Sequence, residues 1–450
     1  MKRLLFATIV CLAALQPIIV RGASDAAARL SAQGKQFEER IFKIADNAYT
    51  AVGYSVSNVS MIVGDDGVVI IDTGMTLDDA GRIAEKFRKI TDLPVKAIIF
   101  THSHGDHTGG AAAFLGESRP QIWAHENFGS EARGWVSGDL TVQKIRGARQ
   151  AGFLLPPDQR INNGVAPVRY PNRGGAVFSS DDRTSPTHFL RGDQQSLNIA
   201  GIELELVSSP GETNDQLFVW YPAGKALFAG DNFYRSFPNL YAIRGTPNRS
   251  VRLWADSLQK LADHHAQALV GGHTNPVLGA QKVNEVLSDY HNAVRFIHDK
   301  TVEGMNQGMT PDQLVEYVQL PDDLAAKDHL QPFYGHPEWG IRSVFNGYLG
   351  WFDGNATHLF PLSPKAEAQR VADLAGGPDQ LTAKAHEAVA SGDSQWAAQL
   401  ADHLLAIEPN DREAKQIKAQ ALTQLAQDMV NATARNYYLT VAAELRGDSK

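Results

Sequence analysis

Cysteine is all but missing from this chain: of 450 residues, only Cys11 carries a thiol. That excludes a disulfide framework and any metal site built on several thiolates. A surplus of positive charge is missing too. Lysine and arginine number 42 against 50 aspartates and glutamates, for a net charge of −8, and a nucleic-acid partner would call for a basic face. Long apolar runs are confined to the N-terminus. Residues 4–20 are apolar apart from Thr8 and Gln16, follow Lys2 and Arg3, and precede the small residues Gly22, Ala23 and Ser24. This order predicts an export signal over 1–22 and a periplasmic or secreted protein. Stable membrane insertion is not expected, because Pro17 interrupts a run already short for a bilayer. Cys11 lies inside the signal, after Ile9 and Val10, which are too large for the usual lipoprotein site. Any metal ion in the mature chain would therefore have to be held by histidine and carboxylate.

What is present suits a folded protein of two or three units: 43% of residues are hydrophobic and 20% charged. Residues 59–64 and 68–72 read as a hairpin turning at Asp65-Asp66-Gly67. Residues 76–90 have helical spacing, and 95–100 form a buried strand that runs into a polar loop. Further strand signals lie at 121–124, 202–207, 217–220, 226–229 and 268–270, with a helix over 248–264. Strands mixed with strand–helix units predict two mixed sheets covered by helices. Residues 130–200, rich in Gly, Pro, Asn and Asp, read as an insertion that walls a pocket. From 369 to 445 the chain is rich in Ala, Leu, Gln and Lys. It breaks at Gly376-Gly377-Pro378, Ser391-Gly392-Asp393 and Pro409-Asn410-Asp411, which predicts a module of four or five helices.

The strongest chemical signal is Thr101-His102-Ser103-His104-Gly105-Asp106-His107. A strand ending in H-x-H-x-D-H puts four metal-capable side chains on one loop, more than one tetrahedral ion needs from it. Two ions sharing the loop is the natural reading.

This motif resembles the metallo-β-lactamase superfamily, and further pieces follow in that superfamily's order. Asp72-Thr73-Gly74 ends a hairpin strand, where the resemblance implies an aspartate orienting a metal histidine. Pro210-Gly211-Glu212, Gly230-Asp231 and Gly271-Gly272-His273 end three later strands. The glutamate in place of histidine resembles the alkylsulfatase branch, in which an acidic bridge follows 19 residues later, as Asp231 follows Glu212. The branch pattern carries one more residue before its glutamate, which leaves Asp215 as an alternative ligand. Asn239-Leu240-Tyr241-Ala242-Ile243-Arg244-Gly245 resembles the branch's sulfate-holding segment. Tyr348-Leu349-Gly350-Trp351-Phe352-Asp353-Gly354-Asn355 resembles the one before its dimerisation domain. In Tyr334-Gly335-His336-Pro337-Glu338-Trp339, a tryptophan stands where the branch has a candidate general-acid histidine, which leaves His336, three residues away, or Glu338 as the substitute.

The resemblance implies an α/β fold, an αββα metallo-β-lactamase sandwich followed by an all-α helical dimerisation domain. The expected division is 23–310 for the catalytic domain, 311–362 for a helical connector completing the pocket, and 363–450 for dimerisation. A lipid-carrier-like module found in longer members is expected to be absent. His102, His104 and Glu212 are assigned to one zinc and Asp106, His107 and His273 to the other, with Asp231 between them. Asp106, Asn239, Arg244, His336 and Tyr348 are the catalytic candidates. The implied reaction is hydrolysis of a small anionic alkyl sulfate ester to alcohol and sulfate by a dizinc-activated water, in a homodimer joined through the helices from Gln369 onward. Rival readings are another hydrolysis on the same scaffold (lactone, thioester, phosphodiester or β-lactam) and a non-catalytic periplasmic binding protein. Asn239 and Arg244 weigh for sulfate, because an amide and a guanidinium fork suit a tetrahedral oxyanion.

Overall fold

Side chains of the first hairpin alternate between two cores. A computed structural model describes residues 23–116, 119–131, 140–168 and 182–448; the expected signal over 1–22 lies outside them. Strands β1 (Arg40–Ala45), β2 (Ala48–Val52), β3 (Val59–Val63), β4 (Val68–Ile71), β5 (Val95–Ile99), β6 (Gln121–His125) and β7 (His188–Leu190) form one sheet in that order. It is antiparallel from β1 to β4 and parallel from β4 to β7. The second sheet runs β13 (Val277–Leu278), β12 (Ala268–Val270), β11 (Ala226–Phe228), β10 (Leu217–Tyr221), β9 (Ile202–Ser208) and β8 (Gln194–Ile199), with only β11 and β12 parallel.

The period of two in a strand sorts residues by face. Ile62, Val69 and Ile71 meet Leu204, Leu206 and Val219 between the sheets. Met61, Val68 and Ile70 face outward onto helix α2 (Leu77–Arg88), through Ile83 and Phe87. Short helices α3 (Gly105–Thr108) and α4 (Ala112–Leu115) follow the β5 loop. On the other side, Phe218, Leu227 and Leu269 pack on α6 (Val251–Ala262) and α7 (Ala280–Asn306), through Trp254, Leu258 and Tyr290. The layers are therefore α, β, β, α, as expected. In the 130–200 stretch, α5 (Thr141–Gln150), β7 and β8 add a helix and two sheet-edge strands to what reads from sequence as insertion alone.

Helices α8 (Pro311–Tyr317), α9 (Asp322–Ala325) and α10 (Pro337–Leu349) share the α6/α7 core, contributing Leu314, Leu324 and Ile341. Then α11 (Pro364–Ala375), α12 (Pro378–Ser391), α13 (Ser394–Ile407), α14 (Arg412–Asp428) and α15 (Ala432–Arg446) close around their own core, which includes Leu381, Leu400 and Ile417. Each Gly- or Pro-containing break falls between two of these helices. The first helix, α1 (Ala23–Gln33), buries Leu30 completely, and Asn162 Nδ2 donates to its carbonyl at 2.8 Å. Among the described residues, no helix is long and apolar enough to cross a membrane.

Candidate metal centre

Five loops leave the same edge of the sandwich, each at the end of a strand. They follow β4 to Asp72, β5 to residues 102–107, β9 to Glu212, β11 to Asp231 and β12 to His273. Their side chains converge. His102 Nε2 lies 2.9 Å from His104 Nδ1 and 3.9 Å from Asp231 Oδ2. His107 Nε2 and His273 Nε2 are each 3.2 Å from Asp231 Oδ1 and 3.7 Å from Asp106 Oδ2. His104 Nδ1 is 3.8 Å from Glu212 Oε1. Three overlapping groups could each hold an ion: Asp106/His107/His273, His104/Glu212/Asp231 and His102/His107/Asp231. Asp231 and His107 each belong to two of them, and Asp231 Oδ1 also faces the His107 and His273 nitrogens at 3.2 Å.

The ring orientations are set from behind. Asp72 accepts from Thr101 N at 2.8 Å and Thr101 Oγ1 at 2.9 Å, and its Oδ2 is 2.7 Å from His107 Nδ1. His102 Nδ1 leans on Thr101 Oγ1 at 3.1 Å, and His273 Nδ1 on the carbonyl of Val56 at 2.8 Å. With Nδ1 engaged, each of these rings turns Nε2 toward the centre, which is how partners behind a metal histidine fix its tautomer. Two non-glycine residues here sit at left-handed φ, Asp72 at 54° and Thr274 at 67°. For a β-branched residue such as Thr274 this is strain retained at a functional loop.

His107 Nε2 and Asp231 Oδ1 are buried and make no well-formed hydrogen bond. Orphaned atoms of this kind, inside a ring of histidine nitrogens and carboxylate oxygens, fit divalent ions of the zinc type. The electrostatics agree. Burial holds His104 well below its ordinary pKa and His102 below it, leaving both neutral and able to ligate. Burial works to raise Asp231, but His273 and His107 outweigh it and hold the carboxylate well down. Glu212 is pushed up to about 7 by burial, against the downward pull of Arg249.

Beside the cage, Asn239 is buried and Arg244 is half-buried on the loop after β11. Helix α5 clamps this loop with one face. Gln143 Nε2 donates to Gly245 O at 2.8 Å, Arg146 Nη2 to Ile243 O at 2.5 Å, and Gln150 Oε1 accepts from Arg244 N at 3.0 Å. The C-terminal module holds α5 in turn, through Arg149–Glu444 at 2.7 Å and Asn436 Nδ2 donating to Gln150 O at 3.2 Å. Arg244's guanidinium has no partner among the described residues, and its charge acts downward on His104, Glu212 and Tyr334. Burial nevertheless pushes Tyr334 up to about 12, so it remains a neutral hydroxyl.

Residues 52–273 match the family model of the metallo-beta-lactamase superfamily, and residues 310–448 match that of alkyl sulfatase dimerisation. A linear primary-alkylsulfatase of a Pseudomonas species is 34% identical over 398 residues, covering 86% of this chain and 74% of that one. The chain belongs to the alkylsulfatase family. This places it among the sulfuric ester hydrolases. The alkyl/aryl-sulfatase BDS1 of Saccharomyces cerevisiae is 29% identical over 90% of this chain and 64% of its own length. The solved structure of the stereoselective inverting sec-alkylsulfatase Pisa1 from Pseudomonas sp. superposes with a TM-score of 0.85 at 27% identity. That superposition covers 94% of this chain and 68% of that one.

Not every alkylsulfatase candidate read from sequence reaches the cage. Asp215 is buried behind it, accepting from Thr213 Oγ1 at 2.5 Å and Gly129 N at 2.9 Å, and joins no ligand group among the described residues. His336 immediately precedes α10, without a side-chain capping hydrogen bond, and lies beside Trp339, at 5.6 Å between ring centroids. Its neighbour Gly335 packs on Pro238 and Asn239, but no hydrogen bond, ion pair or ring contact among the described residues joins His336 to the cage. Burial lowers its pKa, so at pH 7 the ring is neutral and poorly suited to donate a proton. Tyr348 stands on the last turn of α10, 56% exposed, with its hydroxyl 2.9 Å from His298 Nε2, and no hydrogen bond, ion pair or ring contact among the described residues joins it to the cage.

Sequence reasoning missed the braces. Ser57 Oγ donates to Asp106 O at 2.6 Å, and Asn58 Nδ2 to Gly271 O and Thr274 O at 3.0 and 2.8 Å, so the β2–β3 loop holds two ligand loops at once. It also missed Arg249 and the α5 clamp. Gly272 marks how tightly the loops close, since a Cβ there would overlap Asp231 Oδ1. Gly272→Ala is expected to cost about 1–3 kcal/mol of stability by overpacking and to displace Asp231, weakening metal retention. Denaturant unfolding and elemental analysis check both, and a variant as stable and as metal-rich as wild type would contradict this reading.

Proposed function

We propose that this alkylsulfatase hydrolyses small alkyl sulfate esters to an alcohol and inorganic sulfate at a two-zinc centre. His102, His104 and Glu212 hold one ion and Asp106, His107 and His273 the other, with Asp231 shared. Bound zinc supplies Lewis acidity and a water ionised near neutral pH. The single observation that carries the substrate class is Arg244, a guanidinium without a partner among the described residues, held beside the cage by its backbone through Gln150. It offers a two-pronged donor to the sulfate oxygens, and Asn239 on the same loop is placed to add an uncharged amide. Tyr334, whose hydroxyl keeps its proton, contributes a neutral donor at the same wall. Together they orient the ester and meet negative charge as it develops on the sulfuryl or leaving oxygen.

The test is turnover of a panel of alkyl sulfates, lactones, phosphodiesters and β-lactams, run in isotopically labelled water. Release of sulfate and alcohol from the first class alone supports the reading. Label in the sulfate marks S–O cleavage and label in the alcohol C–O cleavage. Hydrolysis of another class in its place would overturn it.

Export to the periplasm or beyond is part of the same proposal, supported by Lys2, Arg3 and the apolar residues 4–20. So is a homodimer. Beyond the end of α10, Trp351 and Phe360 are 74% and 95% exposed, close in sequence to exposed Tyr348, Leu349, Leu359 and Leu362. An apolar run of this kind at the surface calls for a partner, and a second copy fits a region that matches alkyl sulfatase dimerisation. The run lies just ahead of the helices expected from sequence to form the interface. Light scattering is expected to give the mass of two chains for wild type and one for Trp351→Asp/Phe360→Asp. A monomeric wild type at micromolar concentration would end the dimer proposal.

A further inference from the structure

Glu212 is gripped from behind by a side chain that lies in none of the sequence motifs. Arg249 is only 5% exposed. Its Nη1 donates to Glu212 Oε2 at 2.7 Å, and its Nη2 lies 2.6 Å from Oε1. The same Nη1 donates to the carbonyl of Asn239 at 2.6 Å. One guanidinium therefore joins a carboxylate of the cage to the loop that carries Asn239 and Arg244.

Its own position is fixed by the start of α6. Ser250, the next residue, caps that helix by accepting from Leu253 N at 3.3 Å. Farther along α6, Ser257 Oγ donates to Pro210 O at 2.9 Å and Trp254 Nε1 to Asn232 O at 3.3 Å, anchoring the loops of Glu212 and Asp231. Three site loops thus close on one helical turn and its neighbour. A carboxylate offers about four lone-pair positions; Nη1 takes one on Oε2, while Nη2 sits against Oε1 as a close charge contact without a well-formed hydrogen bond. A hydrogen bond to one oxygen and a close charge contact with the other together hold the carboxylate against rotation, which a single point charge does not do. Oε1 is left facing His104 Nδ1 at 3.8 Å.

We propose that Arg249 is a positioning residue of the alkylsulfatase site. It locks the rotation of Glu212 toward His104 and ties that ligand to the Asn239 carbonyl, so that one side chain sets both metal retention and the grip on sulfate. This rests on the two-ion sulfatase reading above. A partner behind a metal ligand typically changes affinity by about 10- to 100-fold when removed.

The experiment compares full-length wild type, Arg249→Met and Arg249→Lys for zinc retained against increasing chelator, for thermal unfolding, and for kcat and KM on an alkyl sulfate. Arg249→Met is expected to release one ion per chain at a chelator concentration at least about 10-fold lower than wild type needs. Its KM should rise more than its kcat falls once zinc is restored, and Arg249→Lys should fall between the two. Wild-type zinc retention and KM in Arg249→Met would overturn the proposal. Should Arg249→Met fail to fold, Arg249→Lys decides alone, and wild-type behaviour on both readouts overturns it. A wild type that itself holds fewer than two ions would instead bring down the two-ion reading.

Discussion

Asp106→Ala is expected to purify as a folded protein with about one divalent ion in place of two, and with kcat/KM lowered by about 1,000-fold or more, roughly 4 kcal/mol. The reasoning is geometric. Asp106 Oδ2 stands 3.7 Å from the Nε2 atoms of both His107 and His273, and these three form one of the groups able to hold an ion. Removing it leaves two imidazoles and a share of Asp231, too few to retain an ion tightly. Asp106 is also the cage carboxylate with the most exposure, its side chain 24% accessible, so its loss costs little in packing. His107→Ala should abolish activity as well, but by a rougher route. Asp72 and Asp231 would both lose a buried partner, at about 1–3 kcal/mol for each group left unsatisfied. Elemental analysis alongside turnover separates the cases. Two ions retained in Asp106→Ala would remove Asp106 from the ligand set, and one tight ion in active wild type would sink the two-metal assignment.

How much of this was legible in the sequence depended on how local each feature is. The H-x-H-x-D-H loop could be read directly because its ligands sit within six residues and follow a strand, β5, that ends in the apolar run Ala97-Ile98-Ile99, buried on both faces. Glu212, Asp231 and His273 are ordinary residues taken singly. They became legible only through their order after three strands and through resemblance. β8 was missed because its sequence, QQSLNI, is mostly polar at the sheet edge, so no apolar alternation announces it. β2 was missed for the opposite reason: four of its five residues are buried and the period of two is masked. Arg249 left no signal because its partner lies 37 residues away and its neighbour Ser250 reads simply as a helix cap. The Val56 carbonyl that orients His273 is a backbone atom 217 residues distant, invisible to any reading of side chains.

Arg244→Ala is expected to keep both ions and to lower kcat/KM for alkyl sulfates by at least about 30-fold, or about 2 kcal/mol. Arg244 touches no cage ligand, and its backbone N–H, not its side chain, is what Gln150 holds at 3.0 Å, so truncation leaves the loop anchored and the metal undisturbed. What is lost is the fork. A sulfate monoester carries a full negative charge on its non-bridging oxygens, and metal ions attract that charge with little sense of direction. Losing one charge-assisted contact in a dry site costs about 2–5 kcal/mol, the upper part of that range applying when the remaining charge is left unpaired. Here it is not wholly unpaired, because Asn239 and Tyr334 stay in place, which favours the lower part. Arg244→Lys should recover only part of the loss, since a point charge cannot present two parallel donors. Steady-state kinetics with metal content measured on the same samples decide the matter. Wild-type turnover of alkyl sulfates by Arg244→Ala would make the sulfate-binding role untenable and would move the reading to an uncharged substrate such as a lactone, for which this guanidinium is dispensable.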